Sequence, residues 1–449
     1  MDTFERMTTE PVEKLVCQMA VPTITIMLVS ALYNMADTYF VGSLGTSATA
    51  AVGVSFSLMA LIQAVGFFFG HGAGNYIARA LGAQNSQDAA KMAATGFCTA
   101  FSIGLVMTVS GTVWLAPLAR VLGATDTSLP YTCEYLRFIL LAAPFMVSSL
   151  LLNNLLRFQG RALLGMIGMT AGALINIALD FLFILVLHQG VRGASLATMI
   201  SQTVSCIALF IICGTGADTV PILLRNCVPT IGNYKEIVRG GIPSLLRQTL
   251  LSLSTLLLNH VAGRYGDGVV AAMAIVNRVF IMASFALIGF GQGFQPVCGF
   301  NYGARRYDRV KRAFWFCVRV STTVLTVLGI GCFIAAPGII ALFRKDDPEV
   351  IRIGAQALRI HCATFPLAGW IVLNNMMLQT MGKAVPASIL ALARQGLFLI
   401  PLMVILVPAL GVLGIQLCIP ITDLCTFILA LPLGISVLHK DLGSQQRIC

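Results

Sequence analysis

The sequence predicts an all-α membrane protein with twelve transmembrane helices in two six-helix repeat lobes. Composition is the first reason. Of 449 residues, 57% are apolar and only 10% charged, with a mean hydropathy of +0.87, whereas soluble domains carry about 25% charged residues. The second reason is the recurrence of apolar stretches of the roughly 20 residues that a bilayer-spanning helix needs. The third is that the second half of the chain repeats the landmarks of the first.

The spans follow in order. Span 1 (15–41) comes after a polar, acidic segment with no small-residue cleavage site, so it is expected to stay as a helix. Span 2 (48–78) starts beyond Gly45 and stops at Arg79, and span 3 (90–120) starts beyond the polar turn at 84–88. Span 4 (133–157) contains Pro144, span 5 (163–187) follows Gly160-Arg161, and span 6 (192–213) follows Gly190. A basic linker leads to span 7 (238–263) and span 8 (268–300), which carry Pro243 and Pro296. Span 9 (309–341) follows a run of arginines, span 10 (356–380) contains Pro366, and spans 11 and 12 (386–409, 412–438) are separated by Gly411. Pro22, Pro144, Pro243, Pro296 and Pro366 are candidate kinks, because proline removes a helix donor.

At an offset of 221, Pro22 falls on Pro243, Gly42 on Gly263, Gly45 on Gly266, Gly82 on Gly303 and Gly190 on Gly411. At 222, Pro144 falls on Pro366 and Gly160 on Gly382. One residue of drift across a half indicates duplication. Because each half has an even number of spans, the copies enter the bilayer the same way round, with a functional cavity expected between them. The expected domains are residues 1–221 as the N-terminal lobe, 222–240 as a cytoplasmic linker and 241–449 as the C-terminal lobe.

Seventeen basic residues fall in segments on the side of the N-terminus and only six, Arg120, Arg192, Arg264, Arg344, Lys345 and Arg352, in the opposite loops. The positive-inside rule then places both termini in the cytoplasm of a multi-pass protein of the cell membrane. The net charge of +11 is therefore an orientation signal and forms no stripe for nucleic acid. The expected partners are the lipid bilayer and a small-molecule substrate, with no nucleic acid, and the chain is expected to act as a monomer. The thirteen cysteines include no CxxC pair and read as small buried hydrophobes. No GxxxxGK[ST] phosphate loop and no HExxH occurs, so neither ATP hydrolysis nor a zinc peptidase is expected. The five histidines are isolated and read as packing residues, and no cofactor or metal is expected beyond a coupling ion.

Among the acids, Asp37, Asp180 and Asp423 sit well within apolar runs. An ionisable group at membrane depth is expensive and marks a functional site by default, the structural alternative being a neutral hydrogen-bonding group. Ser30, Tyr33, Asn34 and Asp37 fall at i, i+3, i+4 and i+7 on one face of span 1. Asn176 and Asp180 share a face of span 5, Ser195, Thr198 and Gln202 share one of span 6, and Asn153-Asn154 lie in span 4. With a rise of about 1.5 Å per residue, Asp37 and Asp180 reach similar depth. Two buried carboxyls brought together suit the capture of a proton or a small hard cation, the chemistry of ion-coupled transport. The second half has Leu258 and Leu402 at the matching positions. It carries instead Gln248, Ser252, Thr255 and Asn259 on one face of span 7 beside Arg247, and Arg394 and Asp423 near mid-membrane in spans 11 and 12. An Arg394–Asp423 ion pair is expected, either stabilising the lobe or opening as a gate. Gly66, Gly70 and Gly74, four apart, are read as helix-packing residues. Two intramembrane aspartates also raise an intramembrane aspartyl protease, but the GxGD context is missing at both.

Asn34-Met35-Ala36-Asp37-Thr38-Tyr39-Phe40-Val41-Gly42, Gly70 to Gln84, Gly291 to Ala304, and Asn176 to Asp180 resemble the signatures of the multidrug and toxic compound extrusion (MATE) family. The resemblance covers nearly the whole chain. It implies two six-helix lobes forming a V-shaped cavity, alternating access, and export of drugs or metabolites against inward proton or sodium flow, with no enzymatic step. In the branch with coupling acids in the N-terminal lobe, the family's acids match Asp37 and Asp180, and its supporting groups match Asn176, Thr198 and Asn153 or Asn154. Another branch places carboxylates on helices 7 and 10, where this chain has Arg247-Gln248 and Asn374-Asn375. The substrate cavity is expected to involve Tyr33, Asn34, Gln202, Gln248, Thr255 and Asn259. Cationic drugs are the family expectation. Arg247, Arg394 and Arg278 keep an anionic or zwitterionic substrate open, and a lipid-linked precursor flippase of the same superfamily is the alternative.

Overall fold

The computed structural model describes residues 3–42, 44–215, 220–344 and 347–442, without the side chains of Asn34, Thr38, Thr46, Asn259 and Asp441. Among these residues the chain is helical apart from short connecting turns and the 220–230 linker segment, with no strand. In a bilayer an uninterrupted helix keeps every backbone polar group satisfied within its own segment, which is why apolar runs fold this way.

The first six long helices are α1 (Val12–Gly42), α2 (Thr46–Gly82), α3 (Ser86–Val113), α4 (Leu129–Phe158), α5 (Ala162–Asp180) and α6 (Gly190–Thr215). The second six are α7 (Ile231–Gly263), α8 (Asp267–Gly303), α9 (Tyr307–Phe343), α10 in two pieces (Pro348–Cys362 and Phe365–Thr380), α11 (Ala384–Leu392 continuing through Leu399–Leu410) and α12 (Val412–Ser436). Ten helices among the described residues are long and apolar enough to cross a membrane. The two other expected spans are α7, diluted by Lys235, Glu236, Arg239 and Arg247, and α10, whose pieces have 15 and 16 residues. The break in α10 falls just before Phe365-Pro366, where proline disfavours helical geometry in the preceding residue. Pro22, Pro144, Pro243 and Pro296, by contrast, lie inside unbroken helices.

Helix starts are set locally. The Asn85 side chain accepts from the Asp88 backbone N–H at 3.1 Å at the start of α3. Asp347 accepts from the N–H groups of Glu349 and Val350 at the start of α10. The duplication is visible in the backbone. Positive φ recurs at Gly45 and Gly266 (110° and 103°), Gly160 and Gly382 (77° each) and Gly190 and Gly411 (60° and 59°). Even the non-glycine pair Gln84 and Arg305 repeats, both at 57°.

The chain packs as two compact units. One comprises Met1–Glu10, Val21–Leu245 and Gly299–Arg305, the other Pro11–Ala20, Leu246–Cys298 and Arg306–Cys449. The linker residues therefore belong with the first unit. The Val228 backbone N–H donates to Thr95 Oγ1 at 3.1 Å, and Arg79 pairs with Glu236 at 2.9 Å. The core of the first unit centres on α4, which packs against α2, α3, α5 and α6 and is buried along most of its length. Gly104 of α3 approaches Pro144 of α4 so closely that a Cβ there would overlap its Cα. In the second unit α9 packs on both pieces of α10, and α12 on α11 and α10.

Candidate functional site

In the first unit, glycines bring the polar faces together. A Cβ at Gly172 of α5 would stand 2.8 Å from the Ser205 Cβ of α6, and one at Gly168 would overlap Leu209. This close approach sets Asn176 and Asp180 against α6, where Asn176 Nδ2 donates to Thr198 Oγ1 at 3.4 Å and Thr198 Oγ1 donates to the Ala194 carbonyl at 3.2 Å. Asp37 of α1 is 3% exposed and Asp180 fully buried, and the two lie within electrostatic reach of each other and of Tyr33. Four buried oxygens here have no hydrogen-bond partner among the described residues: Asp37 Oδ1, both carboxyl oxygens of Asp180, and Asn176 Oδ1. Buried polar atoms are normally paired, so a cluster of acceptors lacking donors is a cluster ready for a proton or cation. Directly after Asp180 the helix widens into a π-helical turn, Phe181–Val186. Such turns often mark functional positions in helices.

Tyr135 of α4 completes this group. It is fully buried, lies within electrostatic reach of Asp37, Asp180 and Tyr33, and neighbours Thr198, while its hydroxyl points to Met59 Sδ at 3.9 Å. Sequence reasoning passes over it because its polar companions, Thr132, Glu134 and Arg137, lie at the start of an apolar run and read as the polar end of a span. The structure does not bring Asn153 and Asn154 into hydrogen bonds with the aspartates among the described residues. Asn153 Oδ1 lies against Gly165, and Asn154 donates to the Leu150 carbonyl at 2.7 Å and accepts from Arg157 Nη2 at 2.6 Å. Arg157 also meets His71 Nε2 at 3.2 Å. His71 Nδ1 faces the Phe67 carbonyl at 3.1 Å and must carry the proton, so Nε2 accepts from the guanidinium. Gln202 accepts from Ser149 at 3.3 Å, and Asn34 lies outside the described side chains.

The second unit holds a different cluster. Arg394 Nε donates to Asp423 Oδ1 at 2.8 Å and Nη2 reaches Oδ2 at 3.5 Å, a two-armed ion pair with side-chain exposures of 17% and 2%. Arg394 sits in a second π-helical turn, Ala393–Leu397, which Ser254 of α7 ties down by donating to the Gln395 carbonyl. Its guanidinium lies 5.9 Å from the Phe280 ring centre. Phe280 in turn stands edge-on to the buried His361, which feels the charge of Asp423. Arg247 lies within electrostatic reach of Arg394. Ser252 donates to the Gln248 carbonyl and Thr255 to that of Leu251, both within α7, while Arg278 is exposed and Asn259 falls outside the described side chains.

The MatE family model matches residues 22–182 and 243–405. The multidrug export protein MepA of Staphylococcus haemolyticus is 28% identical over 406 residues, covering 89% of this chain and 88% of that one. MepA of Staphylococcus aureus strain N315 is 27% identical over 406 residues, covering 90% and 89%. Among solved structures, a MOP superfamily transporter from Pyrococcus furiosus, described as having a binding pocket of reverse polarity, superposes with a TM-score of 0.90. It shares 27% identity over 98% of this chain and 99% of its own. A MATE protein in its bent conformation superposes with a TM-score of 0.91, at 27% identity over 98% and 99%.

Proposed function

Given that the chain belongs to the MatE family and is a multi-pass membrane transporter rather than an enzyme, we propose that it is an ion-coupled antiporter. It exports drugs or organic metabolites across the cytoplasmic membrane by alternating access, with both termini in the cytoplasm. The observation that carries this reading is the Asp37–Asp180 pair, in which Asp37 Oδ1 and both Asp180 oxygens are buried and lack donors among the described residues. The coupling ion is a proton or sodium, held by the two carboxyls with Asn176 and Thr198 in support. Two ionised carboxylates with nothing between them are costly in a buried site, so ion binding and ion loss favour different arrangements of the helices around them. An ion drives transport only if its affinity differs between those states. The outward-open state takes the ion and releases substrate, and ion loss to the cytoplasm resets the pump.

Arg394–Asp423 is assigned as a gate pair in the second lobe, with Arg247 as a further positive charge. Two arginines against one carboxylate give that cluster a positive excess, which supports a second reading in which the substrate carries an acidic group. Reconstituted vesicles with one gradient at a time, pH or sodium, test the coupling. Ethidium-like cations, acidic dyes and lipid-linked sugars as separate substrates distinguish the substrate classes. Efflux that ignores both gradients would sink the antiport reading, and a reporter fused at the C-terminus that stays outside the cytoplasm would overturn the orientation.

A further inference from the structure

The second unit carries a cavity of about 570 Å³ between α9 and the first piece of α10, walled by Phe333, Pro337, Ile351, Ala355 and Ile360. Crossing this apolar wall is a polar stripe, Arg352, Gln356 and Arg359, spaced i, i+4 and i+7 on one exposed face of α10. Arg359 lies eleven residues beyond Pro348, roughly 16 Å along the helix at about 1.5 Å per residue. Arg359 thus stands in the last turn of this piece, before α10 resumes at Phe365, and an exposed arginine within a membrane helix is costly unless it finds partners.

One partner is built into the fold. Pro337 has no N–H, so the carbonyl of Phe333, four residues earlier, loses its helical donor. Arg359 Nε donates to that carbonyl at 3.2 Å, and the guanidinium lies 5.5 Å from the Phe333 ring centre. The guanidinium is thus held by one edge, with four of its five donors still to be used. Neither Arg352 nor Arg359 makes an ion pair among the described residues. At the repeat offset of 222 these positions correspond to Pro130, Glu134 and Arg137. The first copy therefore has one arginine with a carboxylate three residues before it, whereas the second has two arginines around Gln356, which is uncharged.

We propose that this groove is a binding site for an anionic phospholipid. Its phosphodiester bridges Arg352 and Arg359, and one acyl chain lies against Phe333, Pro337, Ile351 and Ile360. The charges match, the donors of Arg359 are pre-oriented by the Phe333 carbonyl, and apolar side chains line the same groove beside the arginines. A free phosphate would use the arginines and leave that wall bare.

The test reads lipid binding, not transport, so its outcome is independent of the antiport reading. Full-length protein is stripped in detergent and titrated with phosphatidylglycerol, with phosphatidylcholine and with glycerol phosphate, following lipid retention by native mass spectrometry and the thermal midpoint. Phosphatidylglycerol is expected to bind and raise the midpoint, while the other two do not. In the double variant R352Q/R359Q its apparent affinity should fall roughly thirtyfold, the equivalent of about 1 kcal/mol for each arginine at an anionic surface. R352K/R359K should recover part of the preference. An unchanged midpoint of R352Q/R359Q in phosphatidylcholine checks that it is folded. Equal phosphatidylglycerol affinity in wild type and R352Q/R359Q would overturn the proposal, and so would stabilisation by glycerol phosphate equal to that by the lipid.

Discussion

Asp180→Asn is the most informative single change. Asparagine keeps the size and shape of the side chain but can neither take up a proton nor offer a negative charge to sodium. In the wild-type protein Asp180 is fully buried and neither carboxyl oxygen accepts a hydrogen bond from the described residues. An uncompensated buried charge costs several kcal/mol, and that cost is what makes ion capture favourable here. One monovalent ion moving down about 100 mV releases about 2.3 kcal/mol. With a tenfold ratio for each 1.4 kcal/mol, a fully coupled pump holds a substrate ratio of roughly fiftyfold per ion. Asp180→Asn should bring that ratio to near one, with the protein still folded. The measurement is steady-state dye accumulation in vesicles with an imposed gradient, normalised to reconstituted protein. The same preparations give a second readout, because supplying the coupling ion should raise the thermal midpoint of wild type and leave that of Asp180→Asn unchanged. A variant that sustains the wild-type ratio would falsify the assignment of Asp180.

Other outcomes follow from the same geometry. Arg394→Gln leaves Asp423 buried without its partner and should destabilise the protein by roughly 3 kcal/mol, while Arg394→Gln with Asp423→Asn should recover much of this, as read by thermal unfolding in detergent. If both single variants and the double variant transport at the wild-type rate, Arg394–Asp423 is structural and not a gate. Gly104→Ala places a Cβ on the backbone of Pro144 and should cost about 1–3 kcal/mol, since a helix backbone has little room to give. Gly53, where an added Cβ would meet nothing within 4 Å, should accept alanine with a gain of roughly 0.5–1 kcal/mol; equal melting of the two variants would contradict the packing account.

Much of this protein is legible in its sequence because membrane helices answer to local rules. A run of apolar residues must close its own backbone hydrogen bonds, so the spans follow from hydropathy. The offset of 221 to 222 residues follows from simple comparison, and the paired positive φ angles show that the duplication reaches individual peptide units. Asp37, Asp180, Arg394 and Asp423 stand out because charge is scarce in spans, and helical periodicity alone aligns Tyr33 with Asp37 and Asn176 with Asp180.

Partners across helices are another matter. Asn154 sits one residue from Asn153, yet its amide is taken by Arg157 and the Leu150 carbonyl rather than by the aspartates. Tyr135 joins the carboxyl pair although its polar neighbours in the chain, Thr132, Glu134 and Arg137, mark it only as the end of a span. The carbonyl that holds Arg359 is freed by a proline on a different helix. Which side chains meet depends on how each helix is rotated and how closely it approaches its neighbour, and glycines such as Gly172 and Gly104 set that distance through the side chains they lack. The sequence by itself determined the helices, their repetition and the few charges they carry. Only the tertiary structure decided which of those groups touch, because helix–helix contact is a property of two surfaces and local periodicity describes one.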